Sequence, residues 1–163
     1  APATSGSPAL AAKFHKLHPP AENSLWIDGS YQLIGDPRPV FDRVSHVGLG
    51  RHGERSCAFS EAAVCARHRL DDRSVIARQM ERYRQLGFPS DWGLWEGGLI
   101  FRRGGLEIVQ KWQSLWWSEI RSGSRRDQLS LPYSLWKTGL PVLDLPVRSP
   151  ELVRFFDHGP ARV

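Results

Sequence analysis

Apolar positions along the chain follow two periods. Leu25-Trp26-Ile27 is a compact apolar run closed by Asp28-Gly29. So short a run, ended by a turn dipeptide, predicts a buried strand that presents Asp28 at its carboxyl end. "VSHVGLG" over 44–50 predicts a weaker strand, and "GGLIFRR" over 97–103 a further strand that Gly104-Gly105 turns. Other stretches take the helical period. From Ser60, "SEAAVCARHRL" predicts a helix with Ser60 as cap and Glu61 in its first turn. Ile76, Met80 and Tyr83 recur at i, i+4 and i+7 behind a cap at Asp71 or Asp72, and Gly87 with Pro89 stops that helix. Trp112, Leu115, Trp116 and Ile120 share one face of a third helix ending at Gly123, and a fourth is expected over 125–137.

The rest of the chain is punctuated by proline. "DPRPVF" over 36–41 predicts a loop, and the tail "PVLDLPVRSPELVRFFDHGPARV" predicts a segment wrapped over the surface. Residues 1–12, small and Pro-containing, predict a flexible N-terminal arm, with 13–163 as one domain. Strands alternating with helices argue an α/β fold.

Composition narrows the function classes. With 163 residues, 40% hydrophobic and 24% charged, the chain has ordinary globular usage, which argues against wholesale disorder. No apolar run approaches the roughly 18 residues of a membrane span, although a basic surface leaves peripheral contact with acidic headgroups open. Cys57 and Cys65, near two helical turns apart, make neither disulfide geometry nor a zinc pattern. Reduced thiols in a cytoplasmic protein are therefore expected. The net charge of +5, carried mostly by Arg, favours anionic partners such as nucleotide phosphates. Seven Trp either fill a core or line platforms for sugar rings or bases.

Two acids carry the candidate chemistry. Asp127 follows Ser124 by three residues, so "SRRD" reads as a capping box, in which case its carboxylate only accepts backbone N–H bonds. Flanked by Arg125 and Arg126 at a helix start, it would also stay ionised and suit a general base or a sugar-hydroxyl acceptor. Asp28 reads either as a turn former or as a metal or ribose ligand at a strand end. "RHGERSCAFSEA" (51–62) and "GLWEGGLIFRR" (93–103) mix Gly with Arg55, Glu96, Arg102 and Arg103, a composition suited to a phosphorylated or polyhydroxylated ligand or to plain loop charge. The six histidines show no paired metal-ligand spacing. No Ser-His-Asp set, phosphate-cradling Gly motif or zinc signature is present.

In order, "KFHKLHPP…SLWIDGSYQL", "RHGERSCAFSEAAVC", "IARQMERYRQLGFPSDWGLWEGGLIFRR" and "WWSEIRSGSRRDQLSLPYSLWK" resemble one family across roughly residues 13–137. It is the glycosyltransferase-like family, formerly of unknown function, that includes plant mucilage-associated hexosyltransferase-like proteins and bacterial glycosyltransferase-domain proteins. The resemblance implies a GT-A-like mixed sheet flanked by helices, lacking most of the N-terminal nucleotide-binding half. It implies transfer of a sugar from a nucleotide-sugar donor to a glycan or other hydroxyl acceptor, assisted by manganese or magnesium. Asp127, Gln128 and Glu119 would then be catalytic, and Asp28 with His158 would hold the metal. Arg55, Glu96, Trp95, Arg102, Arg103, Trp117, Arg125 and Arg126 would bind substrate, Arg on phosphate and Trp on sugar faces. Trp116 is expected to pack inward with Trp112. Gly29 and Ser30 follow Asp28, so a two-acid D-x-D pair is absent. Two other readings stand beside this one, a non-catalytic carbohydrate- or nucleotide-binding relative and an Arg/Trp nucleic-acid binder. The acids interleaved with the Arg clusters disfavour nucleic acid.

Overall fold

The fold is that of a computed structural model, which describes residues 8–146 and 148–156. Its element order is α1 (Pro8–Leu17), β1 (Asn23–Ile27), β2 (Tyr31–Leu33), α2 (Arg38–Arg43), β3 (Val47–Arg51), α3 (Ala58–Arg67), α4 (Arg73–Gln85), β4 (Trp95–Arg103), α5 (Glu107–Ser122), α6 (Asp127–Thr138), β5 (Val142–Leu145) and β6 (Val153–Phe155). Four strands form one sheet in the order β1-β4-β3-β5, antiparallel except for the parallel β3/β5 pair. A two-stranded antiparallel ribbon pairs β2 with β6. The chain is thus an α/β protein with a mixed sheet flanked by helices.

Burial on both faces explains why β4 reads as a continuous apolar run rather than an alternating one. Ile100 points into a core with Val47, Leu49, Trp112, Trp116, Ile120, Leu131 and Leu135, which seats α5 and α6 on one face. Its neighbours Leu99 and Phe101 point the other way, toward Val44, Leu145, Leu152 and Val153, with Val40 and Phe41 of α2 packed alongside. A third cluster joins α3 and α4 to α6 through Cys65, Ile76, Met80, Tyr83, Leu129 and Tyr133. Tyr83 and Tyr133 stack at 3.9 Å between ring centroids.

Several local expectations are revised. The α3 cap is Cys57, whose Sγ accepts from the Ser60 N–H; Ser60 instead donates its hydroxyl to the Cys57 carbonyl. Asp72 caps α4, accepting from the N–H groups of Ser74 and Val75, while Asp71 accepts from Ser124 Oγ and the Arg125 N–H at 2.7 Å each. That second acid ties the turn before α6 to the start of α4. "DPRPVF" runs into the short helix α2, since proline at a first helical turn sacrifices no hydrogen bond. The Pro-broken tail does not simply wrap the surface: it supplies β5 to the main sheet and β6 to the ribbon. At the other end α1 takes in residues 8–12 of the expected arm. Leu17 of α1 is fully buried, and Gln113 Nε2 donates to its carbonyl at 2.6 Å.

Candidate functional site

β4 departs from regular pairing at Gly97-Gly98. Its partners on β3 step from Gly50 opposite Glu96 to Leu49 opposite Ile100, so the intervening residues bulge out of the ladder. Both glycines stand at close approaches. A Cβ on Gly97 would lie 3.1 Å from Lys16 Nζ, and one on Gly98 would lie 2.6 Å from the Tyr31 ring. The bulge thereby seats a lysine on one side of the strand and a tyrosine on the other.

Beside it opens a cleft of about 600 Å³. Asp28 reaches it from the end of β1, Asp127 and Gln128 from the first turn of α6, Glu96 from β4, and Lys13 and Lys16 from α1. Trp26, Tyr31, Arg126, Arg148 and Phe155 complete most of its wall. The two acids distant in sequence meet there across one ammonium. Lys16 Nζ lies 2.9 Å from Asp127 Oδ2 and 3.4 Å from Asp28 Oδ1, and Lys13 Nζ lies 2.8 Å from Asp127 Oδ1. Lys16 is 4% exposed. Trp26 Nε1 donates to Asp28 Oδ1 at 2.5 Å, which fixes the carboxylate's orientation.

This geometry decides what Asp127 is. The carboxylate does not cap α6, whose N-cap is Arg126 without any side-chain cap bond; it turns to the two lysines instead. Burial opposes its ionisation, but Lys16 and then Lys13 outweigh that and hold the carboxyl far below the usual carboxylate range. Its backbone carbonyl accepts from Trp116 Nε1 at 3.0 Å, so the buried Trp116, stacked on Trp112, fixes the helix start from below. Pro132 inside α6 leaves the Gln128 carbonyl without the N–H that an α-helix would bring it.

Four cations, Lys13, Lys16, Arg126 and Arg148, face three carboxylates, Asp28, Glu96 and Asp127, around the cleft. Arg126 Nε and Gln128 Nε2 are buried with no partner among the described residues. Excess positive charge beside unpaired donors suits an anionic, oxygen-rich ligand. On the far wall the Tyr31 hydroxyl donates to Glu96 Oε2 at 3.1 Å, and burial together with Glu96 pushes the phenol above its ordinary range. The Arg148 guanidinium lies 4.0 Å from the Phe155 ring centroid.

The cleft thus gathers Asp28, Glu96, Arg126, Asp127 and Gln128 of the expected site residues. The others lie elsewhere. Glu119, expected to be catalytic, is 5% exposed between α4 and α5, where Arg82 clamps it and the Tyr83 hydroxyl donates to it at 2.7 Å. Arg102, expected on phosphate, is wholly sealed in the sheet; its Nε and Nη1 lack partners among the described residues, and burial lowers the guanidinium to about 10. Arg103 donates to the carbonyls of Phe41 and Val44 and so closes the end of α2. Arg55 pairs with Glu61 and Glu54 beside α3. The Arg125 backbone N–H is held by Asp71 and its side chain does not line the cleft. Trp95 is 4% exposed, faced by Arg51 at 4.0 Å and donating to Asp144 at 2.8 Å, so no sugar face reaches it. Trp117 packs edge-on against Phe14 and His18 and docks α1 on α5. His158 lies outside the described residues.

Sequence reasoning missed Lys13, Lys16, Trp26, Tyr31, Arg148 and Phe155. The lysines did leave a signal: K-x-x-K spacing places both on one helix face within the segment that opens the family resemblance. The expected divalent cation finds little to hold it among the described residues, where no group of three His, Cys, Asp or Glu side chains converges. Asp28 Oδ1 is already committed to Trp26 and Lys16, which leaves Oδ2 as its one uncommitted oxygen, and the ammonium beside it would repel a second cation. Without His158, which lies outside them, the described residues make a poor donor set for such an ion. No helix among the described residues is long and apolar enough to cross a membrane.

Comparison with known proteins bears on this arrangement directly. The TOD1/MUCI70 glycosyltransferase-like domain model matches residues 10–146. A probable hexosyltransferase, MUCI70 of Arabidopsis thaliana, is 28% identical over 129 residues, covering 71% of this chain and 22% of the plant protein. The chain therefore spans about a fifth of the length of that relative. No solved structure matches it. The matched stretch takes in Lys13, Lys16, Asp28, Glu96 and Asp127, so the charged centre of the cleft lies within it, and the chain belongs to the TOD1/MUCI70 glycosyltransferase-like family.

Proposed function

We propose that the cleft transfers a hexosyl group from a nucleotide-sugar donor to a hydroxyl acceptor. One observation carries the reading: within a glycosyltransferase-like domain, Asp28 and Asp127 come from elements far apart in the chain and meet across Lys16 in a cleft with excess positive charge. In the reaction the bond from the anomeric carbon to the diphosphate oxygen breaks, and its electron pair stays on that oxygen. The acceptor oxygen forms the new bond to the anomeric carbon and releases its proton.

Each half of this chemistry has groups suited to it. Charge growing on the departing diphosphate falls to Lys13, Lys16, Arg126 and Arg148, of which Lys16, held between two carboxylates, needs no reorganisation when the bond breaks. Asp127, so strongly ionised by its lysines, is a poor proton acceptor and serves to orient them. Asp28 is the better base, since its side chain is 39% exposed and its Oδ2 has no hydrogen-bond partner among the described residues. The half-buried face of Trp26 and the unpaired Gln128 amide suit a sugar ring and its hydroxyls.

The test is release of nucleoside diphosphate from a panel of uridine- and guanosine-diphosphate hexoses. Asp28→Asn and Asp127→Asn should each lower turnover by about 100-fold or more while the protein stays folded, the scale of losing one preorganised charged group. Turnover within twofold of wild type in both variants would remove the assignment. Saturable sugar binding without turnover of any donor would replace it with a non-catalytic binding module.

A further inference from the structure

Building on that reading of the cleft, we infer that the Lys16 ammonium occupies the position of a divalent cation at the donor diphosphate, so that this protein binds and releases diphosphate without metal. The argument begins with place. A metal serving a leaving diphosphate sits between protein carboxylates and phosphate oxygens. Between the two carboxylates of this cleft stands Lys16 Nζ, bonded to both, nearly sealed from solvent, and 5.8 and 6.0 Å from the ring centroids of Trp26 and Trp116.

Charge and valence agree with this placement. Lys13 and Lys16 together carry the two positive charges of a divalent ion, and both lie against Asp127. An ammonium has three N–H donors. Two of those on Lys16 go to Asp28 and Asp127, and the third has no partner among the described residues, leaving it for a phosphate oxygen. Gly97 is part of the same device, because any side chain there would press on the ammonium. The carboxylates thus hold the lysine where the leaving oxygen's charge develops, and no proton need move for it to act.

The experiment reads binding rather than turnover. Inorganic pyrophosphate, uridine diphosphate and guanosine diphosphate are titrated into the protein by calorimetry, first with EDTA and then with manganese. Pyrophosphate and at least one nucleotide should bind saturably in EDTA, and manganese should shift the affinity by less than about threefold. Lys16→Met should weaken binding at least tenfold. The single variant leaves Asp127 with Lys13 alone and Asp28 without an ammonium, so the uncharged pair Lys16→Met with Asp127→Asn is measured beside it, with its melting curve as proof of folding; that protein should also lose binding in EDTA. Electron paramagnetic resonance should find no manganese site at micromolar ion.

Binding that appears only with manganese, a tight manganese signal abolished by Asp28→Asn, unchanged affinity in the Lys16 variants, or no pyrophosphate binding under either condition would each overturn the inference. The two proposals fail differently. Sugar transfer that requires manganese would keep the proposed function and sink this inference. Metal-free, Lys16-dependent diphosphate binding with no transfer from any donor would do the reverse.

Discussion

Replacing Asp127 by Asn keeps the side chain's shape and removes its charge from between two ammoniums, so the cost measures what the carboxylate does. As a helix cap it would be worth about 1 kcal/mol. As the partner of Lys13 and Lys16 at 2.8 and 2.9 Å, with its own side chain only 16% exposed, it should be worth more. Removing one member of a buried ion pair costs about 3–5 kcal/mol, chiefly because the other charge is left stranded. Two facts reduce that figure. Lys13 is 23% exposed and turns to water readily, and Lys16 keeps Asp28. A loss of about 2–4 kcal/mol follows, which at roughly 2–4 °C per kcal/mol for a chain of this size lowers the melting midpoint by about 5–15 °C. Urea and thermal unfolding of wild type, Asp127→Asn, Lys16→Met and the double variant form the cycle. The double variant should be more stable than the sum of the single losses by at least about 1 kcal/mol. Additive losses, with Asp127→Asn at or below about 1 kcal/mol, would show that the carboxylate is a cap after all.

The remaining predictions probe the neighbouring elements. Glu119→Gln should cost about 1–3 kcal/mol by weakening the tie to Arg82 and Tyr83, yet leave pyrophosphate affinity within twofold; a tenfold loss would return Glu119 to the site. Gly98→Ala must push the Tyr31 ring aside and should cost about 1–3 kcal/mol, read by urea unfolding; a neutral result would mean that the bulge adapts freely. Trp26→Ala should weaken a hexose-bearing nucleotide more than the bare nucleoside diphosphate, and equal weakening would deny it a sugar contact. The Asp127 carboxyl is held below its ordinary value, so its stabilising contribution is complete at neutral pH and is lost as pH falls below about 4. The stability gap between wild type and Asp127→Asn should accordingly narrow between pH 7 and pH 3, and a constant gap would contradict the ion-pair account.

What was legible in the sequence was whatever depends on neighbours in the chain. The Ile76, Met80, Tyr83 face of α4, the inward Trp112 and Trp116 of α5, and a strand ending at Asp28 all follow from local periodicity and punctuation. What was illegible depends on partners brought from afar. A buried acid such as Glu119 looks the same in sequence whether it meets Arg82 or a substrate, and Arg102 beside Arg103 gives no sign that one is sealed in the sheet and the other closes a helix. The small residues and prolines near the N-terminus suggested an arm. Leu17 in the core and the lysine pair on Asp127 make a helix worth holding there. The tail's prolines flank β5 rather than exclude it, since β5 is an edge strand where a missing N–H is tolerated.

The arrangement of acids carries a requirement that the sequence alone could have raised. Two carboxylates brought to one partly desolvated cleft repel each other, and one of them protonates unless a cation lies between. A chain that keeps both ionised must either recruit that cation from solvent or carry it on a neighbouring element. Here α1 carries it, and the Gly97-Gly98 bulge leaves room for it against the strand. A cation supplied by the chain is present from the moment the fold closes, whatever the ion concentration. Helix α1, the β4 bulge and the start of α6 are then one electrostatic unit, and a change in any of them acts on the other two through the Lys16 ammonium.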